Sequence, residues 1–110
     1  MSTTVNIGQI PYLNCEPFFN GLDLDGINLC PMVPSAMGSL ANSGKLQAAP
    51  FSLIQSFELT DEYETLGDMG ISVKGAVRSI LLYSKIPLHE LSGSIIGVTQ
   101  ESATSSQLLR

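Results

Sequence analysis

Short apolar runs alternate with helix-opening turns along the chain, and this alternation restricts the fold more than any other feature. Each of the first three runs ends at a turn rich in Pro or Ser, and an apolar helical pattern follows it. Strands that alternate with helices form parallel sheets, because a helical crossover must return the chain to the same end of the sheet. The sequence therefore predicts an α/β fold: a three-layer, doubly wound and mostly parallel sheet.

The expected strands and helices follow from the apolar pattern and from the residues that begin or end such elements. Residues 77–83 are expected to form the central strand, since an unbroken apolar run is typical of a strand buried on both faces. Pro31 interrupts the second run, which indicates an edge strand or an irregular one. The expected strands are 5–10, 27–33, 46–49, 77–83 and 95–98, with an extended segment at 66–73. The expected helices run from Pro17 over Phe18 to Leu22, from Pro34-Ser35 to Ser43-Gly44, from a Ser52 cap to Phe57, and onward from Ser102.

The composition indicates a single domain with more apolar surface than its size requires. The chain has 110 residues, of which 44% are hydrophobic and 14% are charged, where soluble domains average about 25% charged residues. The last helical pattern, residues 102–110, also ends without a Gly or Asn cap. We therefore expect some faces to pack against further chain, and the sequence to be the front part of a longer protein.

Charge and hydropathy argue against several classes of partner. The net charge is −5, from ten acidic and five basic residues, so no basic patch is available for nucleic acid. No segment approaches the ~20 apolar residues that span a bilayer, and residues 1–4 lack the start of a secretory signal. We expect a cytoplasmic protein with a small-molecule partner, while the oligomeric state stays open.

The cysteines and the histidine do not form a recognisable catalytic or metal-binding pattern. Cys15 and Cys30 have neither a CxxC spacing nor His or acidic neighbours in a metal-ligand pattern, so we expect two free thiols and no metal. A catalytic Cys15 would have only His89 as a possible base, and His89 lies in a polar connector. The nucleophilic-thiol interpretation is therefore the weaker one.

Three segments share one design that suits a small anionic ligand. Each follows an expected strand, precedes an expected helix and carries uncharged polar side chains, beside backbone amides that a helix start leaves unpaired. They are Tyr12-Leu13-Asn14, Pro50-Phe51-Ser52 and Glu101-Ser102-Ala103-Thr104-Ser105. The alternative interpretation is that these are ordinary caps and turns, each worth about 1 kcal/mol of stability. Arg78 either pairs with a ligand carboxylate or marks the polar end of a strand.

With these motifs, the sequence resembles the chorismate dehydratases of the futalosine route to menaquinone. The resemblance covers essentially the whole chain, and its most specific parts are the Tyr12-Leu13-Asn14 turn and the Glu101–Ser105 segment. The Cys-Pro-Asn-Asp pattern of the sister enzyme that makes dihydroxynaphthoate is absent. Further matching motifs are Ile7-Gly8, Val33-Pro34-Ser35, Ala49-Pro50-Phe51-Ser52, Gly75 with Ser79-Ile80-Leu81-Leu82, and Ser84-Lys85.

The resemblance implies a fold similar to type II periplasmic binding proteins, with two lobes around a cleft. Residues 1–83 would belong to the first lobe, residues 84–93 to the hinge, and residues 94–110 to the start of the second lobe. The implied activity is dehydration of chorismate to 3-[(1-carboxyvinyl)oxy]benzoate by a carbon–oxygen lyase that needs no metal or redox cofactor. Two alternatives are a non-catalytic module that binds a small carboxylate, and an inactive fragment of the enzyme.

The resemblance also implies roles for individual residues. Asn14 is the expected catalytic residue, and because an amide does not titrate near neutral pH, it would orient the substrate or stabilise developing charge. The base would come from the second lobe or from a carboxylate of the substrate itself. The expected substrate-binding residues are Tyr12, Ser52, Ser79, Ser102, Ala103, Thr104 and Ser105.

Overall fold

The computed structural model describes residues 3–109. The positions 1, 2 and 110, which belong to the expected first lobe and to the end of the last expected helix, lie outside the described residues. The chain forms a small α/β structure. Its strands are β1 (Val5–Gln9) and β2 (Ile27–Pro31), its helices are α1 (Pro34–Asn42), α2 (Leu53–Glu58) and α3 (Ala103–Gln107), and its 3-10 helices are Leu13–Phe18 and Leu88–Glu90.

The sheet of the described chain contains two parallel strands. β1 pairs with β2 along its whole length, so the parallel arrangement predicted from the alternation is confirmed for this pair. The expected third strand at 46–49 is reduced to a bridge between Ile7 and Ala48. Its backbone bonds run from Gly8 N–H to the Ala48 carbonyl at 2.9 Å and from Gln47 N–H to the Asn6 carbonyl at 2.9 Å.

β1 lies between β2 on one side and the bridge at Ala48 on the other, so β2 lies at an edge of the sheet. β2 ends at Pro31, which has no amide hydrogen and therefore cannot continue a ladder on both sides. The predicted edge position of this strand is confirmed for the described residues, although the strand is two residues shorter than expected.

Helix α1 begins and ends where its local sequence predicts. Pro34 occupies its first turn, where a missing amide hydrogen costs no intrahelical bond. At the other end Gly44 adopts φ +71°, and its amide donates to the Ala41 carbonyl at 2.9 Å while Lys45 donates to the Leu40 carbonyl at 3.0 Å. This is a Schellman motif, which satisfies the last carbonyls of the helix.

The helix expected to start at Pro17 is replaced by an earlier 3-10 helix, Leu13–Phe18, with Pro17 inside it. A first turn closes before the proline, where Cys15 N–H donates to the Tyr12 carbonyl at 3.0 Å. The Glu16 carbonyl then accepts hydrogen bonds from the amides of Phe19 at 3.0 Å and Asn20 at 2.9 Å. Because Pro17 has no amide to donate, two single turns form in place of one regular helix.

A small core lies where β1 leads into the 3-10 helix and α1 packs over both. Met37 of α1 is fully buried beside Ile10 and Cys15. The Tyr63 hydroxyl donates to the Leu46 carbonyl at 2.7 Å and lies 3.1 Å from the carbonyl of Ala41, which ties the segment after α2 to the end of α1. Partly buried side chains that complete the core are Phe18, Phe19, Met32, Ala49 and Phe51.

The strands predicted at 77–83 and 95–98 are wrong for this structure. Both segments lack regular secondary structure, and their apolar side chains are exposed: Tyr83 by 85% and Ile95 by 100%. A strand exists only through ladder bonds to a neighbour, and none of residues 3–109 offers such bonds to these segments. The apolar runs have the composition of strands, but no partner strand is present in the described chain.

Candidate functional site

The turn after β1 and the start of α3 meet at one side-chain hydrogen bond. The Tyr12 hydroxyl donates to Glu101 Oε2 at 3.1 Å across a separation of 89 residues. The backbone carbonyl of Glu101 accepts from Ser35 N–H of α1 at 3.3 Å. Three segments that the sequence analysis placed near a ligand or at a helix start therefore converge on one residue, Glu101.

The two serine-opened helices both begin with the cap that was predicted from their sequence. Ser52 Oγ accepts from the Gln55 amide at 3.4 Å, and Ser102 Oγ accepts from the Ser105 amide at 3.1 Å. These bonds satisfy one of the unpaired donors at each helix start. Since α2 and α3 also pack against each other, the two capping serines belong to neighbouring elements.

The hydroxyl hydrogens of this group are not equally available to a ligand. Ser102 Oγ donates its hydrogen to Ser105 Oγ at 2.8 Å, so the hydroxyl of Ser105 is the one whose hydrogen is left to donate. Ser52 Oγ acts only as an acceptor in its cap, which leaves its hydrogen free as well. Both residues are half-buried. The arrangement can therefore present two hydroxyl donors to an anion without a positive charge.

Asn14 lies exposed in the 3-10 helix that follows β1. Its Oδ1 accepts a long contact of 3.6 Å from the thiol of Cys15. Cys15 is only 3% exposed, and burial raises the pKa of its thiol, so the nucleophilic thiolate form is disfavoured. The geometry thus presents the amide of Asn14 to solvent and keeps the neighbouring thiol in the core.

The pKa of the Tyr12 hydroxyl is raised, which favours its protonated form. Desolvation is the largest cause that raises its pKa, followed by the hydrogen bond to Glu101, the charge of Glu101 and the charge of Cys15. The Tyr12 side chain is nevertheless 38% exposed. A protonated Tyr12 can donate to a carboxylate, which makes it a hydrogen-bond donor and not a base in this state.

Ser79 is the predicted site residue that the structure leaves apart from the others. It lies exposed on a turn in which Ile80 N–H reaches the Val77 carbonyl at 3.4 Å. No hydrogen bond within residues 3–109 joins it to the turn after β1 or to α3. An open apolar hollow of about 350 Å³ lies further along the chain and is lined by Leu82, Ser84, Ile86, Leu88 and Leu91.

Sequence reasoning missed two polar residues of this region. Glu101 was part of a recognised motif, but nothing local indicates that its side chain contacts Tyr12. Gln55 is only 7% exposed, and its Oε1 is buried without a hydrogen-bond partner among the described residues. The one local signal is the spacing Ser52-x-x-Gln55, which is that of a capping box and would put the Gln55 side chain beside the cap. Its side chain instead lies against Gly38 of α1.

The described residues carry no arrangement typical of a metal centre or of a membrane span. Within residues 3–109, no group of three or more His, Cys, Asp or Glu side chains is arranged to hold a metal ion. Within the same residues, no helix has the length and apolar character needed to cross a bilayer. The two cysteines are free, as predicted, with Cys15 buried and Cys30 half-buried.

Comparisons with known proteins bear on the motifs described above. Residues 5–110 match the family model described as "Menaquinone biosynthesis". The chain is also 32% identical over 107 residues to the chorismate dehydratase of Thermus thermophilus. This alignment covers 94% of the chain but 38% of the length of that curated relative. No solved structure matches the chain. Since the family match extends over almost every residue, the chain belongs to the menaquinone biosynthesis family.

Proposed function

We propose that the protein dehydrates chorismate to 3-[(1-carboxyvinyl)oxy]benzoate as a carbon–oxygen lyase of menaquinone biosynthesis. The observation that carries the proposal is the family match over residues 5–110, together with the similarity to a protein named chorismate dehydratase. The hydrogen bond between Tyr12 and Glu101 adds support, because it connects the two most specific motifs of the sequence. We place the activity in the cytoplasm, where small-molecule biosynthesis takes place.

The proposed architecture is the two-lobed fold of type II periplasmic binding proteins. Residues 1–83 would contribute to the first lobe, residues 84–93 to the hinge and residues 94–110 to the second lobe. The parallel pair β1 and β2 and the small α/β core support this assignment at the level of fold class. The substrate would lie between the turn after β1 and the start of α3, which would belong to different lobes.

The chemistry requires loss of a ring proton and of a hydroxyl group as one molecule of water. No electrons are gained or lost overall, so an electron carrier has no role in the proposed step. The product ring is aromatic, which makes the elimination strongly favourable, and the enzyme has to lower only its barrier. In this proposal Asn14 donates hydrogen bonds to the substrate and stabilises charge that develops during elimination.

The two carboxylates of chorismate would be held by neutral donors. Helices α2 and α3 have six and five residues, so the dipole of either helix is small. The hydroxyls of Ser52 and Ser105 therefore carry more of the proposed binding than the helix ends do, with further donors from the segment between Ser102 and Ser105. Tyr12 would line the same cleft, whereas Ser79 lies apart from it in this structure and stays a prediction from the resemblance. The base would be supplied by the second lobe or by the substrate.

The direct test is incubation of the protein with chorismate, followed by liquid chromatography and mass spectrometry. We expect an aromatic product that has lost one water. Replacement of the proposed catalytic amide, Asn14→Ala, should lower turnover by about 10²-fold, the size seen when one donor to a developing charge is removed. Its free energy of unfolding should change by less than about 1 kcal/mol, because Asn14 is exposed.

The matched control is Asn20→Ala, since Asn20 is exposed just after the same 3-10 helix. It should leave turnover unchanged. Equal turnover in the parent protein and Asn14→Ala would remove Asn14 from the site. Binding of chorismate without any product would favour the alternative of a non-catalytic carboxylate-binding module. A protein that neither binds chorismate nor forms the product would contradict the proposed function.

A further inference from the structure

A carboxylate stands at a site that is proposed to bind a dianion, and this needs a physical explanation. Glu101 directly precedes Ser102, the cap of α3, and its side chain is exposed. A negative charge beside two substrate carboxylates weakens their binding through Coulomb repulsion. Glu101 therefore requires a role that offsets this repulsion, and the contacts of its own side chain and backbone indicate which one.

Glu101 makes contacts in three directions. Its Oε2 accepts from the Tyr12 hydroxyl at 3.1 Å, its carbonyl accepts from Ser35 N–H at 3.3 Å, and its amide donates to Thr99 Oγ1 at 3.2 Å. The last bond fixes the approach to α3, and the second joins that approach to α1. The first is the only one of the three that the side chain of Glu101 makes, and it reaches the turn that carries Asn14.

We infer that Glu101 is a positioning residue, which holds Tyr12 and thereby fixes the turn with Asn14 against the hydroxyls at the start of α3. This inference rests on the proposed function in so far as the ligand is chorismate. The hydrogen bond between Tyr12 and Glu101, the Tyr12–Glu101 bridge, rests on the geometry alone. A charge-assisted hydrogen bond from a tyrosine is stronger than a neutral one and occupies an oxygen of the carboxylate. The same contact therefore orders the two walls of the site and engages one carboxylate oxygen of Glu101 with a donor, while the negative charge remains.

A series of variants separates positioning from acid–base chemistry. Glu101→Ala removes the acceptor for Tyr12, and kcat/KM should fall about tenfold, the effect expected from the loss of one charge-assisted hydrogen bond. Glu101→Gln keeps an acceptor oxygen and should recover most of this loss. Because it also removes a negative charge, its KM for the dianionic substrate should lie at or below that of the parent. Tyr12→Phe should match Glu101→Ala, and the double variant should be no worse than either single variant.

A spectroscopic measurement tests the bridge without relying on turnover. With tyrosine labelled by ¹³C at the ring carbon that bears the hydroxyl, the resonance of Tyr12 is assigned through Tyr12→Phe and followed as the pH is raised. Its titration midpoint should fall in Glu101→Gln, since the charge of Glu101 is one cause that raises the pKa of Tyr12. The matched control Glu64→Gln changes an exposed acid after α2 and should alter neither the midpoint nor the kinetics.

The outcomes distinguish this inference from the proposed function. An unchanged Tyr12 midpoint in Glu101→Gln would overturn the bridge, whether or not chorismate is turned over. A Glu101→Gln variant as inactive as Glu101→Ala would assign Glu101 to proton transfer and overturn the positioning role. Full activity in both variants would also overturn the positioning role, because the contact of the side chain with Tyr12 would then not matter for turnover. A parent protein that neither binds nor converts chorismate would contradict the proposed function, and with it any role of Glu101 toward this substrate. A lower Tyr12 midpoint in Glu101→Gln would still support the hydrogen bond between Tyr12 and Glu101.

Discussion

Gly8 shows how one missing side chain shapes the structure around it. A Cβ at this position would lie 2.9 Å from Ala49 Cβ, 3.2 Å from Leu46 Cδ1 and 3.2 Å from Met37 Cε. Gly8 is also the residue whose amide donates to Ala48. The glycine thus allows the segment after α1 to approach β1 closely enough to form the bridge at Ala48.

Replacement of this glycine by alanine should destabilise the protein. We expect Gly8→Ala to lower the free energy of unfolding by about 1–3 kcal/mol, the usual effect of an overfilled core. The measurement is urea denaturation monitored by circular dichroism. The comparison variant is Gly38→Ala, whose Cβ would meet the end of a flexible side chain, Gln55 Nε2, at 2.9 Å.

Gly38 is inside a helix, where alanine gains about 1 kcal/mol over glycine, and Gln55 can move. The stability of Gly38→Ala should therefore fall by less than that of Gly8→Ala. An equal loss in both variants, or none in Gly8→Ala, would contradict the close packing around β1.

Residue-scale features were predictable where the signal is local. Ser52 and Ser102 were identified as helix starts, and Gly44 as a helix end, because a cap is decided within a few residues of itself. The partner of Tyr12 was not predictable, since Glu101 is 89 residues away and its backbone neighbours give no indication of a contact. The buried Oε1 of Gln55 was missed because its burial depends on a contact with Gly38 of α1, which no local pattern around Gln55 indicates.

At the scale of the elements, α2 and α3 are too short to be stable alone. They contain six and five residues, whereas isolated helices need about 12–15 residues even in favourable sequences. Their stability must come from their caps and from their contact with each other and with the core. Each cap serine therefore has a structural role besides the proposed one in binding.

Two substitutions at Ser52 separate these roles. Ser52→Ala removes the cap and should lower the free energy of unfolding by about 1 kcal/mol. Ser52→Asp keeps a side-chain acceptor for the Gln55 amide, so the stability should stay close to that of the parent. Its negative charge should nevertheless weaken binding of a dicarboxylate, because it lies beside the proposed ligand.

The measurements are thermal unfolding and a chorismate titration of both variants. If Ser52 has only a capping role, Ser52→Asp will bind chorismate as the parent does. That result would remove Ser52 from the proposed site and leave its cap intact.

Elements were predicted correctly when their boundaries were encoded within them. Pro34 and Gly44 delimit α1 as predicted, whereas β2 was expected to continue to residue 33 and ends at Pro31. The strand expected at 77–83 was not found. An apolar run indicates that a segment favours burial, but it does not indicate whether a neighbouring strand is present to pair with it. The helix after β1 was expected to begin at Pro17, but the 3-10 helix begins four residues earlier, at Leu13. Proline is compatible both with a helix start and with a position between two single turns, so the sequence around Pro17 did not decide between them.

The molecule as a whole is elongated. Its Cα radius of gyration is 16.8 Å and its extents are 61 × 27 × 21 Å, where a compact chain of this length has a radius of about 13 Å. The buried side chains lie between Ile10 and Leu59, and the apolar side chains of 80–83 and 95–98 are exposed. Burial and order are therefore concentrated in the first part of the chain.

Hydrogen exchange measured by NMR tests this distribution. The amides of β1 should exchange slowly, because they are bonded within the sheet and lie next to the core. The amides of 80–83 and 95–98 should exchange nearly as fast as those of an unstructured peptide. Strong protection in 80–83 would contradict the structure and show that this segment pairs with a strand after all.

The long separation between Tyr12 and Glu101 also has a consequence during synthesis on the ribosome. At about 5–20 residues per second, the 89 residues that separate the two partners take about 4–18 s to translate. The turn that carries Tyr12 is thus without its acceptor for seconds after it has been synthesised. The nascent chain therefore acquires this long-range contact after the contacts between β1 and β2, whose partners lie only 22 residues apart.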